Sequence, residues 1–384
     1  MTQRYSIPVL MTAAIASCAL AYGQAAKKLP NVTIIATGGT IAGEAATSVQ
    51  SAYSSGQVGV EALIKAVPTL SKIAKVTGEQ ISNVGSQDMS DEIWLKLAKR
   101  INELAKSPDV DGIAITHGTD TMEETAYFLH LAVKTRKPVV LTGSMRPSSA
   151  LSADGPLNIF NAVAVAGDPA AAGRGVLVVI NDQIHSAHDI TKTNTSSVET
   201  FMSPFRGLIG SSSYGVNHYF RGPFMKHTVE SEFSVDSATK LPRVDILYVY
   251  EDMPGDPVDA AVSAGAQGIV IAGVGNGNMP KSVMDALSRA TQKGVVVVRA
   301  SRVPTGYVGR NVEVDDDKLN FVAAEELNPP KARVLLRLAL MKMKDPKEIQ
   351  RAFNTYQVNH TDGFPERFVQ THLVHSLNAC ETQC

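Results

Sequence analysis

The chain has 384 residues, enough for one large or two ordinary domains, and 44% of them are apolar, enough for real cores. Its formal net charge is −1 with charged residues at 19%, so no basic stripe advertises nucleic acid and no acidic tail is present. The three cysteines stand at 18, 380 and 384, in the terminal segments, so the body between them has no disulfide framework.

Residues 1–25 read as a secretory signal, with Arg4, an apolar stretch from Ile7 to Tyr22, and small residues before Ala25 and Ala26. The stretch is too short to span a bilayer and ends in Gly-Gln rather than a basic stop. Ile15-Ala-Ser-Cys18 is similar to a lipoprotein-processing box, which makes lipid attachment at Cys18 the second reading. Beyond it, apolar runs at 32–37, 112–116, 138–143 and 175–181 are predicted strands. Amphipathic patterns near 59–66, 91–106, 121–134 and 156–167 are predicted helices between them, with starts at Ser90 and Thr121. Such alternation predicts a doubly wound, mainly parallel sheet.

Residues 216–243 are polar, lack a clear period and include Pro223 and Pro242, which suits a linker. We place a domain over 29–220, the linker over 221–243 and a second domain over 244–356. In the second domain, strands at 244–250, 268–274 and 295–300 interleave with helices near 256–265, 280–293 and 329–344. The predicted fold class is therefore α/β, with two doubly wound domains, the N-terminal one larger. The tail at 357–384 carries no periodic pattern and reads as a frayed appendage. The chain has no internal repeat of fixed period and no low-complexity tract.

Two signatures carry the chemistry: Thr37-Gly-Gly-Thr-Ile-Ala-Gly43 and Thr116-His-Gly-Thr-Asp-Thr-Met-Glu-Glu-Thr-Ala126. Each follows a predicted strand, so each presents hydroxyls at a carboxyl end, where open parallel sheets bind ligands. The glycines let the backbone turn sharply and bring its N–H groups close to a ligand. A threonine hydroxyl is a poor nucleophile until a base takes its proton. Two such threonines, an aspartate beside the second, and a lysine and a tyrosine elsewhere could together form a nucleophilic amidohydrolase site.

The signatures resemble those of the bacterial-type L-asparaginases, specifically the secreted (type II) branch. The resemblance continues through Gly85-Ser-Gln-Asp-Met89, Pro138-Val-Val-Leu-Thr-Gly-Ser-Met-Arg-Pro147, Ser152-Ala-Asp-Gly-Pro156 and Asp189-Ile-Thr-Lys-Thr-Asn-Thr195. It extends through Gly273-Val-Gly-Asn-Gly-Asn278 and Ser301-Arg-Val-Pro-Thr-Gly306, and spans about residues 29–356 in order. It implies the same two-domain α/β fold. It also implies Thr40 as nucleophile, activated by Tyr53 and Glu313, with Tyr53 in a Ser/Gly-rich stretch that reads as a lid.

Thr119, Asp120 and Lys192 form the second cluster. An ammonium near a threonine hydroxyl lowers the cost of deprotonation, and an aspartate fixes the lysine. By resemblance, Asp120 also holds the substrate's α-amino group, and Ser86 and Gln87 its α-carboxylate. Backbone N–H groups near Gly39 and Thr119 are candidates for an oxyanion hole. Ser144 is expected to offer its backbone carbonyl to the substrate amide; serine there leans toward glutamine, whereas Asn278 matches the asparagine-preferring branch, and we weight Asn278 more. The resemblance further implies a homotetramer, a dimer of dimers, with Glu313 reaching the partner's site. Some secreted relatives carry a bridge in the N-terminal domain; the region around Ala105 and Lys134-Thr-Arg-Lys137 has no cysteine, so that bridge is absent here.

Other motifs carry less. Gly273-Val-Gly-Asn-Gly-Asn278 follows a strand but lacks the third glycine and the later acid of a dinucleotide loop. His185 and His188 have metal-like spacing without a third ligand. Glu313-Val-Asp-Asp-Asp317 has a calcium loop's charge without its glycine, and His117 reads as a satisfied buried histidine. No cofactor or metal is expected, and no nucleic-acid partner. The expected reaction is hydrolysis of L-asparagine to L-aspartate and ammonia in the periplasm or outside the cell. The covalent and direct routes are both open. A broad glutaminase-asparaginase is the same-class alternative. A periplasmic amino-acid-binding protein is the different-class one, though a receptor has no need of this threonine, lysine and tyrosine set.

Overall fold

The computed structural model describes residues 28–49 and 54–357. Strand and helix alternate through the first half: β1 (Asn31–Gly38), α1 (Val60–Ala66), β2 (Lys75–Val84), α2 (Asp91–Lys106), β3 (Gly112–Thr116), α3 (Met122–Ala132), β4 (Val139–Thr142), α4 (Gly155–Ala166) and β5 (Val176–Ile180). The chain then folds back through β6 (Gln183–Ser186), β7 (Thr191–Lys192), β8 (Phe201–Met202), β9 (Gly210–Ser213) and β10 (Val216–Tyr219). A second block follows: β11 (Val244–Tyr248), α5 (Asp256–Ser263), β12 (Gly268–Gly273), α6 (Lys281–Gln292) and β13 (Val296–Ser301). It closes with α7 (Asp316–Leu319), β14 (Phe321–Ala323), α8 (Pro329–Leu340) and α9 (Pro346–Thr355).

The larger sheet has the order β10-β9-β6-β5-β4-β3-β1-β2, parallel from β2 to β5 and antiparallel beyond. Alternate side chains of each central strand enter two different cores: Ile113 and Ile115 pack with α2 and α3, while Ala114 packs with α1 and α4. The crossover through α1 carries the chain to one side of β1, and that through α2 returns it to the other side. β1 and β3 are thus neighbours whose following crossovers, through α1 and α3, leave for opposite faces of the sheet, which opens a crevice at their carboxyl ends. The smaller sheet, β11-β12-β13-β14, is all parallel, with α5 and α6 on one face and α8 on the other. The α/β class with a larger and a smaller domain is as expected.

Several elements differ from the sequence reading for physical reasons. β2 is an edge strand with no fully buried residue, so it shows no apolar run. β6 and β10 close tight hairpins whose central residues have positive φ: Asn181 (50°) and Asp182 (61°), then Tyr214 (50°) and Gly215 (79°). The stretch read as a linker buries Phe233, Val235 and Leu241 in the core formed with α3 and α8. α9 starts at an Asp345 cap followed by Pro346. Among the described residues no helix is long and apolar enough to cross a membrane. The predicted signal at 1–25, the three cysteines and the tail from 358 lie outside the described residues.

Candidate active site

The crevice between β1 and β3 is built backbone against backbone. Register brings Ala36 opposite Thr116, so the two signatures leave the sheet side by side. Gly39 has φ 84° and ψ −173°, a conformation open to glycine alone, and its N–H donates to Val84 O at 2.9 Å. At Gly118 an added Cβ would lie 2.6 Å from Ser86 Oγ. Thr37 and Thr142 use their hydroxyls structurally, donating to Thr116 O (2.9 Å) and Val179 O (2.7 Å). Thr40 begins a short 3-10 turn, Thr40–Ala42, and is buried.

The second cluster closes over the same crevice. Thr119 is 5% exposed, and its Oγ1 accepts from Lys192 Nζ at 2.9 Å. The same ammonium donates to Asp120 Oδ1 at 2.7 Å. Lys192 arrives on the short β7–β8 ladder, and its own backbone N–H donates to Glu123 Oε2 at 2.7 Å. Ser86, in the 3-10 turn after β2, accepts from Asp120 N–H at 3.1 Å through its hydroxyl and from the Thr121 hydroxyl at 2.7 Å through its carbonyl. Gln87 beside it is exposed and donates to Asp88 at 3.3 Å.

Thr40, Thr119, Asp120 and Lys192 line one pocket of about 450 Å³, walled on the far side by Met145–Ser152 and the 48–49 loop. That volume suits a small ligand. Ser144, at the end of β4, is fully buried and donates its hydroxyl to Arg146 O at 2.7 Å. Tyr53 lies outside the described residues.

Asn278 and Glu313 are not with this group. Among the described residues, all that line the pocket belong to the first domain. Asn278 Nδ2 instead donates to Glu313 Oε2 at 2.5 Å on the second domain, beside Val312, which is 65% exposed. Behind them a fully buried Arg299 pairs with Asp316 (2.6 and 2.7 Å) and donates to Asn276 O (2.9 Å) and Gly309 O (3.0 Å). It thereby ties together the two loops that carry Asn278 and Glu313.

The remaining motifs resolve into local structure. Asp315 caps α7, Asp316 pairs with Arg299 and Asp317 with Arg310, so the acidic run after Glu313 is spoken for. His185 Nδ1 pairs with Ser203 Oγ at 2.9 Å and His188 Nδ1 with Asp189 at 2.9 Å. Among the described residues no cluster of three or more His, Cys, Asp or Glu side chains is placed to hold a metal. His117 is fully buried, and burial pushes its pKa down to about 4; its Nδ1–H donates to Gly118 O at 2.6 Å. Its Nε2 has no partner among the described residues, so it is only half satisfied, unlike the sequence reading. The sequence reading gives Glu123 no role; its one signal is an acid one turn after Thr119 in the second signature.

Comparison with known proteins places both domains in one family. The family model "Asparaginase, N-terminal" matches residues 31–223, and "Glutaminase/Asparaginase C-terminal domain" matches 243–353. "Probable L-asparaginase periplasmic" of Haemophilus influenzae is 56% identical over 331 residues, 86% of this chain and 94% of that protein. "L-asparaginase 2" of Escherichia coli is 54% identical over 343 residues, 89% of this chain and 98% of that protein. "Glutaminase-asparaginase" of Pseudomonas fluorescens is 49% identical over 331 residues, 86% of this chain and 91% of that protein. With both domains matched in order and these identities sustained along most of its length, the chain belongs to the asparaginase family.

Proposed function

We propose that the protein hydrolyses L-asparagine to L-aspartate and ammonia. The observation that carries this reading is the Lys192 ammonium, 2.9 Å from Thr119 Oγ1 and 2.7 Å from Asp120 on a pocket that also holds Thr40. The cation stabilises negative charge developing on the Thr119 oxygen, and Asp120 keeps the cation in place. The exposed Asp120 carboxylate also faces the substrate ammonium, while Ser86 and Gln87 receive the α-carboxylate. This leaves the side-chain amide between the two threonines. Thr40 Oγ attacks the amide carbon as its proton passes to a neighbouring base, with Tyr53 and Glu313 assisting. Backbone N–H groups at Gly39 and Thr119 receive the oxyanion. Ammonia departs with a proton, and water then cleaves the acyl-threonine. In the direct route, water activated at Thr119 and Lys192 attacks instead, and Thr40 only orients the carbonyl.

Glutamine is the second substrate, at lower efficiency; the buried Ser144 and the glutaminase-asparaginase relative support it. The predicted signal and the name of the Haemophilus relative support a periplasmic or secreted location. The separation of Asn278 and Glu313 from this chain's own pocket supports a homotetramer in which they enter a partner's site. A fully active monomer in light scattering at assay concentration contradicts that assembly.

Ammonia release on mixing with asparagine, repeated with glutamine, tests the activity. Thr40→Ala and Thr119→Ala are each expected to lower kcat by about three decades with folding intact. Retention of more than about a tenth of kcat by either variant removes the role given to that threonine.

A further inference from the structure

The segment that delivers Lys192 is gripped at its backbone by the second domain. Lys331, in the first turn of α8, is 3% exposed, and its Nζ donates to the carbonyls of His188, at 2.7 Å, and Ile190. Two residues beyond Ile190, the Lys192 N–H donates to Glu123 Oε2 at 2.7 Å. The other Glu123 oxygen accepts from Asn328 Nδ2 at 2.8 Å. Asn328 in turn caps α8, accepting from the Lys331 N–H at 3.1 Å. These bonds form a closed ring through α3, the Lys192 segment and the start of α8.

Adhesion between the domains does not need this ring, because α3 and α8 already bury a common apolar face. A buried ammonium is costly even when its donors are met; burial pulls the Lys331 pKa down against the pull of Glu123, Asp189 and Glu326. Removing this one group would leave its buried partners unpaired and cost stability. A hydrophobic substitute for the whole cluster, however, would often serve stability as well, so stability alone does not single out these polar residues. What the ring does fix is where a long, flexible side chain starts. β7 and β8 pair over only two residues, and the Lys192 ammonium must meet Thr119 at hydrogen-bond distance.

We propose that Glu123, Asn328 and Lys331 are positioning residues for Lys192, through which the second domain's α8 sets the contact between the Lys192 ammonium and Thr119. This rests on the role given to Lys192 above. Displacing a reacting group by about an ångström costs on the order of a hundredfold in rate, so a loosened anchor reads out in turnover before binding.

The test is steady-state kinetics on full-length variants. Glu123→Gln sets an amide N–H2 against that of Asn328 and is expected to lower kcat at least about tenfold, with KM changed less than about threefold. Glu123→Gln with Asn328→Asp reverses donor and acceptor in that bond and is expected to restore kcat to within about threefold of the parent. Lys331→Met keeps the stem, removes the donors and is expected to repeat the loss. Should it misfold, Asn328→Ala, which trims one side chain at a helix end, carries the same expectation. Lys192→Met, run alongside, separates the two readings. If it keeps the parent kcat, the role of Lys192 itself is wrong. If it is inactive while folded Glu123→Gln and Asn328→Ala turn over like the parent, the positioning inference alone is overturned.

Discussion

Gly39 and Gly118 touch through their backbones: a Cβ built on Gly39 would lie 2.3 Å from both the N and the Cα of Gly118. The two signature loops therefore approach more closely than any other residue pair would permit. Gly39→Ala combines this overlap with a backbone conformation closed to L side chains, each costing about 1–3 kcal/mol. We expect the variant to lose about 3 kcal/mol or more in urea unfolding and most of its turnover. An alanine variant with parental stability would mean that the loops part without strain.

Asp120 sets a second expectation. Its carboxylate is 60% exposed and holds Lys192 from the solvent side, so it is free to take a substrate ammonium as well. A charge-assisted hydrogen bond is worth about 1.5–3 kcal/mol, so Asp120→Ala is expected to weaken aspartate binding by about ten- to a hundredfold in calorimetry. Unchanged affinity for aspartate would take Asp120 off the substrate.

Asparagine and glutamine differ by one methylene, which a pocket resolves by only about 1–3 kcal/mol. With Asn278 set by Arg299 and bonded to Glu313, we expect kcat/KM to favour asparagine by at least about tenfold, with glutamine turnover detectable. Asn278→Ser is expected to narrow that ratio. Equal efficiency on both amides in the parent would assign it to the broad-specificity enzymes.

Stability is expected to fall on mild acidification. Burial holds both His117 and His185 down at about 4, against 6.5 when exposed, so between these values the unfolded chain binds protons that the folded chain refuses. Stability from these groups is complete above 6.5 and drains away as pH falls toward 4, by up to about 1.4 kcal/mol per pH unit for each histidine. Urea midpoints measured from about pH 7.5 down to about pH 4.5 check this. A flat profile down to the carboxylate range would show that these imidazoles are not held neutral.

The central strands of both sheets were legible because each is buried on both faces and reads as an unbroken apolar run, as in Val139–Thr142 and Gly268–Gly273. The edge was not: Lys75–Val84 is half exposed along its whole length, and β6, β9 and β10 are four residues each. Thr119, Asp120 and Lys192 could be grouped from the motifs, but only the fold shows Lys192 reaching them. The hold on Lys192 from Lys331 bridges more than a hundred positions and leaves no local pattern, since a helix-start Asn-Pro-Pro-Lys looks the same with or without a partner.

One hydrophobic cluster runs from Ile113 and Ile115 of the larger sheet, through α3 and α8, to Val270 and Val298 of the smaller one. The two domains are consequently not independent folding units. Melting α8 exposes apolar surface on α3 and on the smaller sheet at once, so the protein is built to denature in one cooperative transition, and a chain that stops before α8 leaves α3 with a greasy, aggregation-prone face.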